Sequence, residues 1–323
     1  MKQVPFATTG VQVSEMCLGT MMFGKRTDQA ESDRILSFAL EQGVNFVDTA
    51  PMYSDGACEE LLGRILQGRR DKVFLATKVH KGVDRDSILS SIDESLRRLQ
   101  TDRVDLYLIH WPKPGMKLEE IMRALNEVVR AGKARYVGCC NYSAWMVEAS
   151  NAVAALRGWS KLVCNQIPYN PVERGAEIEV LPQARAQRVA ITVYRPVLQG
   201  ILAGKYDPDQ PLPADSRGES DERIGRWLKQ YAAGVRFFLN FAREKNVSSI
   251  AVAMAWLRGC PAVTCPIVGP SRFAQVEDAV KAFSFDMAPA ERDAISNAFD
   301  AAVKEETGGK FPELRRTLDL VCE

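Results

Sequence analysis

With 323 residues, 46% of them hydrophobic and 26% charged, the chain has room for one large α/β barrel or two ordinary domains, and the composition of a globular protein. Its 42 basic and 41 acidic side chains leave a net charge of +1, which argues against a dedicated nucleic-acid binder but still allows a local basic pocket for a phosphate. A chain of this length buries most of its surface on folding and needs no disulfides.

The eight cysteines are Cys17, Cys58, Cys139, Cys140, Cys164, Cys260, Cys265 and Cys322, and none forms a C-x-x-C pair, so zinc-ribbon and thioredoxin readings lack support. Cys139, Cys140, Cys164 and Cys265 lie in or beside apolar runs, where cysteine is a small buried hydrophobe. The segment Met1-Lys2-Gln3-Val4-Pro5 lacks the apolar stretch of a signal peptide. No apolar run approaches the ~18–20 residues of a membrane span. A reducing cytoplasm is the expected location, with no membrane or nucleic-acid partner.

In chain order, residues 4–13, with Thr9-Gly10 at the centre, read as a hairpin expected to cap the bottom of the main fold. Candidate strands follow at 16–20, 44–47, 73–77, 104–109, 135–140, 162–165, 189–194 and 263–267. Helical periodicity fills the intervals. Residues 28–42 carry Ile35, Leu36, Phe38, Ala39 and Leu40 on one side and stop at Gly43. Residues 86–99 place Ile88, Leu89, Ile92, Leu96 and Leu99 on one face. Residues 118–131 end at Gly132, and Ser143 suits the N-cap of a helix running to Arg157.

Eight strands alternating with helices predict a (β/α)8 barrel, read as a single domain over 1–323, with long loops after strands 4 and 7 and at the C-terminus. The spacing breaks between Tyr194 and Val263, where a Pro- and Asp-rich loop (207–213) precedes helical stretches at 223–245 and 248–258. That loop is expected on the strand-end face as a lid. The tail after Ala301, with Gly308-Gly309 and Pro312, is expected to fold over the same face.

Three apolar runs, 44–47, 73–77 and 104–109, lead into four residues suited to proton chemistry. They are Asp48, Tyr53 five residues beyond it, Lys78, and His110, one of only two histidines. Parallel barrels keep their active sites at the C-terminal ends of the strands. A phenol has an ordinary pKa of ~10, and a neighbouring ammonium such as Lys78 lowers it. Asp48 can hold that ammonium in place. A neutral His110 can donate a hydrogen bond to a carbonyl oxygen. None of the four is a hydride source, so carbonyl reduction requires a cofactor. Taken singly, each has a structural reading: Asp48 as a turn cap, Lys78 as a solvated loop lysine, Tyr53 as a rim aromatic and His110 as a packed imidazole. The four types together are harder to explain structurally.

The segments Gly19-Thr20-Met21-Met22-Phe23-Gly24, Asn45-Phe46-Val47-Asp48-Thr49-Ala50-Pro51-Met52-Tyr53, Thr77-Lys78 and Asp105-Leu106-Tyr107-Leu108-Ile109-His110-Trp111-Pro112 resemble the aldo-keto reductase family. The resemblance continues through Gly138-Cys139-Cys140-Asn141-Tyr142-Ser143, Asn165-Gln166 and Tyr194-Arg195-Pro196 to Ile267-Val268-Gly269-Pro270-Ser271-Arg272. It implies a (β/α)8 barrel that binds NAD(P)H across its top and reduces aldehydes and ketones. It implies Asp48, Tyr53, Lys78 and His110 as a catalytic tetrad, with Tyr53 the general acid. Gly19, Thr20, Met21 and Asp48 then line the reactive end of the cofactor, while Asn141 and Gln166 hold its carboxamide and Tyr194 stacks on its ring. Arg195, Pro196, Val197, Gly200 and Lys205 fall in the pyrophosphate loop, and Ile267, Gly269, Ser271, Arg272 and Gln275 fall at the adenosine end. No G-x-G-x-x-G or G-x-x-x-x-G-K-[ST] fingerprint is present.

Three positions depart from the family pattern. Cys140 stands where serine often precedes the amide-binding Asn141, Arg195 stands where serine usually follows Tyr194, and Ala279, beside Asp278, replaces a frequent asparagine at the adenine. Arg195 is expected to put a fixed charge near the phosphate or nicotinamide ribose and so alter cofactor affinity; its structural reading is an ion pair with a lid carboxylate such as Asp207 or Glu219. Arg272 suits a 2′-phosphate, which favours NADPH over NADH. Met22, Met52, Trp111 and Trp227 are candidates for an apolar substrate pocket, with Met22 and Trp227 equally readable as packing. His80 reads as a surface residue, and Cys139-Cys140 as core. Two competing functions remain: a cofactor-binding subunit of the same fold, like channel-associated β subunits, and a Schiff-base barrel enzyme acting through Lys78.

Overall fold

The computed structural model describes residues 1–214 and 216–307. The chain opens with strands β1 (Gln3–Pro5) and β2 (Gln12–Ser14), antiparallel with Val4 opposite Val13. Phe6, fully buried, meets Phe46 edge-on at 5.7 Å and Phe74 at 4.8 Å between ring centroids. Both partners stand at the N-terminal ends of their strands, so the hairpin plugs the bottom of the barrel as the sequence predicts. Ser14 fixes it there: its N–H donates to Asn45 Oδ1 at 2.7 Å, and its hydroxyl oxygen accepts from the Asn45 N–H at 3.1 Å.

Eight strands follow: β3 (Cys17–Gly19), β4 (Phe46–Asp48), β5 (Phe74–Val79), β6 (Val104–Ile109), β7 (Ala134–Cys140), β8 (Leu162–Pro168), β9 (Ala190–Tyr194) and β10 (Val263–Val268). They close into a barrel in the order β10-β3-β4-β5-β6-β7-β8-β9. Every residue of β3 to β6 is buried, because a barrel strand faces packed side chains within and helices without. The result is a (β/α)8 barrel with an N-terminal hairpin.

The helices start where local chemistry sets them. Asp28 caps Gln29–Glu41 by accepting from the Glu31 N–H at 2.9 Å, and Gly43 leaves the helix at φ +78°. Asp84 caps Arg85–Leu99 in the same way. Leu118–Arg130 follows β6. Ser143 occupies the N-cap backbone position of Ala144–Arg157, but its hydroxyl makes no capping bond. The Glu179 carboxylate takes the Ala144 N–H instead, at 3.2 Å; an ionised acceptor is the stronger partner at a helix N-terminus.

The chain divides into two compact units. The first comprises Met1–Ile167, Ile178–Thr192 and Ala262–Glu277. The second comprises Pro168–Glu177, Val193–Pro261 and Asp278–Glu323. Within the second unit, Trp256 is wholly buried on Ser249–Arg258; its indole N–H donates to Ser296 Oγ at 3.1 Å, and the Tyr169 ring lies 5.0 Å away. The stretch predicted as one helix at 223–245 is two, Glu222–Gln230 and Ala232–Glu244. The break at Tyr231 (φ −112°, ψ 20°) puts that ring 6.5 Å from Phe299, while a Cβ on Gly234 would lie 2.5 Å from the same phenyl group. The 207–213 loop is anchored by Asp209, which accepts from Arg236 Nε at 2.7 Å. Gly308-Gly309 and Pro312 lie outside the described residues.

Candidate active site

β4 ends on Asp48, and the parallel register sets Asp48 against Ala76, two residues before Lys78 on β5. Residues two apart share a strand face, so Asp48 and Lys78 both point into the barrel. Lys78 is completely buried, and its Nζ donates to Asp48 Oδ1 and Oδ2, each at 2.8 Å, to the Thr49 carbonyl at 2.9 Å, and to Tyr53 Oη at 3.5 Å. Burial is the largest single effect and works against the ammonium, but the Asp48 charge and hydrogen bond, together with the Tyr53 and Cys140 charges, outweigh it, and the Lys78 pKa rises above its ordinary value.

Tyr53 opens a tight turn, Tyr53–Gly56, in which Ser54 and Asp55 both have left-handed backbones. Lys78 pulls the phenol's pKa down, as the sequence suggests. Burial is the larger effect, so the net pKa is pushed up to about 12. His110 follows the last residue of β6. Burial first, then the Lys78 and His80 charges, bring its pKa down to about 3, so the imidazole is neutral near pH 7. His80 itself is exposed, as expected.

Three further strand-end groups join this cluster. Thr20, buried, donates its hydroxyl to the Asp48 carbonyl at 3.0 Å. Gln166 donates its side-chain amide to Asp48 Oδ1 at 2.9 Å, a link that sequence alone did not suggest. Asn141 (φ +61°) donates its backbone N–H to the Gln166 carbonyl at 2.9 Å and its side-chain amide to the His110 carbonyl at 3.3 Å. Beside them, Ser143 Oγ is buried with no hydrogen-bond partner.

At the junction of β10 and β3, a Cβ on Gly19 would sit 2.8 Å from Ile267 Cγ2, whereas one on Gly269 would meet only the Gly19 carbonyl at 3.6 Å. The helix Phe273–Ala282 starts just beyond. Gln275 Oε1 accepts from the Ser271 N–H at 2.7 Å, Glu31 Oε1 accepts from the Phe273 N–H at 2.6 Å, and Arg272 is exposed.

In the second unit, Arg195 pairs with Glu173 at 2.6 Å rather than with Asp207 or Glu219. Asn170 explains the choice, because its side-chain amide donates to both Glu173 Oε2 (2.9 Å) and the Arg195 carbonyl (3.1 Å). The Arg195 guanidinium lies 5.2 Å from the centre of the Tyr194 ring, and Arg195 Nε is buried without a partner. Pro196 is buried and Val197 half-buried; Gly200 adopts φ +106°, and Lys205 lies 5.6 Å from the Tyr206 ring centre. Ala279 is fully buried.

Met21, Met52 and Trp111 are exposed on the loops after β3, β4 and β6, and Trp111 stacks on His110 at 6.1 Å. Trp145 is also exposed, in the first turn after β7. Sequence reading passed over it, although its place just past a strand end was the available signal. Met22 is half-buried, as is Trp227, which has Arg223 5.9 Å from its ring centre. Cys17, Cys139, Cys140, Cys164 and Cys265 are free and buried, as the core reading requires. Among the described residues no cluster could hold a metal ion, and no helix is long and apolar enough to cross a membrane.

The parallel barrel thus carries a buried acid–lysine pair, a phenol and a neutral imidazole at its strand ends, and its family match makes the protein an NAD(P)H-dependent oxidoreductase. Residues 15–299 match the Aldo/keto reductase family, and the chain belongs to it. An uncharacterized oxidoreductase, YrpG, of Bacillus subtilis (strain 168) is 33% identical over 86% of this chain and 90% of its own length. Aldo-keto reductase YhdN of the same organism is 29% identical over 96% of this chain and 97% of its own. A probable voltage-gated potassium channel subunit beta of Arabidopsis thaliana is 30% identical, covering 85% and 88% respectively.

Proposed function

We propose that the protein reduces an aldehyde or ketone to the alcohol with NADPH, and that Tyr53 is the general acid. The observation that carries this reading is the Lys78 ammonium, held by both oxygens of Asp48 and within 3.5 Å of the Tyr53 hydroxyl. The cofactor, when bound, supplies the hydride. Its residues fit the group: orphaned Ser143 Oγ beside Asn141 suits the carboxamide, and exposed Arg272 beside a helix N-terminus suits a 2′-phosphate. Gly19 and Gly269 leave room for a close backbone approach.

The substrate oxygen accepts hydrogen bonds from Tyr53 Oη and from the neutral His110. As the carbonyl carbon gains hydride, the Tyr53 proton moves to the oxygen. Lys78 meets the phenolate left behind, and Asp48 keeps Lys78 charged. Met22, Met52, Trp111 and Trp145 give the barrel side an apolar rim, which favours a hydrophobic carbonyl compound; Trp227 is the second unit's candidate. We read 1–323 as one barrel-type domain, because the family match runs through both units.

Tyr53→Phe tests the assignment: turnover is lost, while NADPH affinity stays within about twofold of the wild type. A near-normal kcat would remove Tyr53 as the acid. The channel-subunit relative supports a second reading, a cofactor-binding partner subunit with little turnover. NADPH oxidation across a panel of aldehydes, ketones and sugars separates the two. A Schiff base on Lys78 requires a neutral amine, and Asp48 opposes that state.

A further inference from the structure

Behind the Tyr53–Lys78 pair lies a second buried carboxylate. Glu59 sits in the first turn of the helix Ala57–Ile65 and is wholly inaccessible. Its Oε1 accepts from Thr77 Oγ1 at 2.6 Å, and its Oε2 accepts from Arg98 Nε at 2.7 Å. Thr77 immediately precedes Lys78 on β5, and successive strand residues face opposite ways. Glu59 therefore grips the outer face of the strand that carries the lysine on its inner face.

The same helix is the direct continuation of the tyrosine turn. Ser54 (φ 52°, ψ 39°) and Asp55 (φ 51°, ψ 40°) lie in the left-handed region, and Gly56 follows at φ +93°. Non-glycine residues keep such a backbone only where surrounding contacts hold it. The Ser54 hydroxyl is buried without a partner, so it gives the turn no support. The support comes from the next residues: Cys58 donates its thiol to the Thr20 carbonyl at 3.1 Å, Glu59 takes Thr77, and the Arg98 stem packs 2.9 Å from where a Gly56 Cβ would lie.

We propose that Glu59 is a positioning residue: by holding Thr77 and Arg98 together, it locks the strained Tyr53 turn at working distance from Lys78. This rests on Tyr53 being the acid. A Tyr–Lys contact already at 3.5 Å has no slack, and small misplacements of reacting groups carry large rate penalties.

Replacing Glu59 removes a buried charge and risks the fold, so the test uses Thr77→Val, which keeps shape and deletes one donor. Thr77→Ser restores the hydroxyl. With NADPH and 4-nitrobenzaldehyde, Thr77→Val is expected to lose about tenfold in kcat, with KM and NADPH Kd within about twofold of wild type. Thr77→Ser is expected to recover kcat to within about twofold. A Thr77→Val enzyme with wild-type kcat, even one with a lowered Tm, overturns the positioning role. A loss that Thr77→Ser does not restore also overturns it. Tyr53→Phe is run alongside. If it is inactive and Thr77→Val is normal, only the clamp fails; if Tyr53→Phe turns over normally, or the wild type does not turn over at all, both readings fail.

Discussion

The neutral His110 makes the protein acid-sensitive in a way a single substitution should reveal. Its folded pKa is about 3, against an ordinary value of 6.5, because burial and the nearby Lys78 charge oppose the imidazolium. Between those two pH values the unfolded chain binds one proton that the folded chain refuses. Stability therefore rises with pH across the window and falls as pH drops below 6.5. One proton corresponds to about 1.4 kcal/mol per pH unit, so lowering the pH from about 5.5 to about 4.0 costs about 2 kcal/mol through this residue. His110→Gln cannot titrate and is expected to lose about that much less over the same interval. Equilibrium urea unfolding of both proteins from pH 4 to pH 7 gives the comparison, since carboxylates common to both cancel in the difference. Parallel stability curves would show that His110 titrates alike in both states, and would refute the assignment of a buried neutral imidazole.

The remaining expectations concern the ligands. Arg272→Ala should weaken NADPH about tenfold or more while changing NADH by less than about twofold, measured by fluorescence titration; equal losses would exclude a 2′-phosphate contact. Trp145→Ala should raise KM about fivefold or more for bulky aromatic aldehydes and leave small aliphatic ones within about twofold, and a uniform change would place Trp145 outside the substrate pocket.

Much of the barrel was legible because most of its strands are buried on both faces and appear in sequence as near-continuous apolar runs, as in β6 and β9. The candidate residues Asp48, Lys78 and His110 were legible because each follows such a run, and Tyr53 because it lies five residues past Asp48. What escaped the sequence depends on partners far away in the chain. Ser143 looks like a cap, yet Glu179 takes the bond. Arg195 pairs with Glu173, from the loop after β8, because Asn170 holds both groups. The Gln166–Asp48 and Glu59–Thr77 bonds likewise join separate strands and helices, with no local pattern to announce them. The acidity of Tyr53 escaped for another reason. Sequence suggests its neighbour Lys78, but only the packed structure gives the burial that outweighs that neighbour.

In the reaction proposed above, with Tyr53 as the acid, that balance bears directly on how Lys78 can assist. Its three protons face two Asp48 oxygens, the Thr49 carbonyl and, at longer range, Tyr53 Oη. While Tyr53 is a neutral phenol, the nearer carboxylate and carbonyl oxygens hold the ammonium, and the phenol keeps its proton. Once that proton has gone to an alkoxide, a stronger base than phenolate, Tyr53 Oη becomes an anion in a buried place. The ammonium then gains most by turning toward it. The Lys78–Tyr53 contact is thus weak in the ground state and strengthened only as charge develops, and an interaction with that difference accelerates the chemical step. A closer Lys78–Tyr53 contact in the resting protein would stabilise the phenolate before substrate arrived, leaving Tyr53 with less of the proton it must donate. Under that proposal, binding Lys78 mainly through Asp48 avoids that loss and keeps the amine near Tyr53 without joining it tightly.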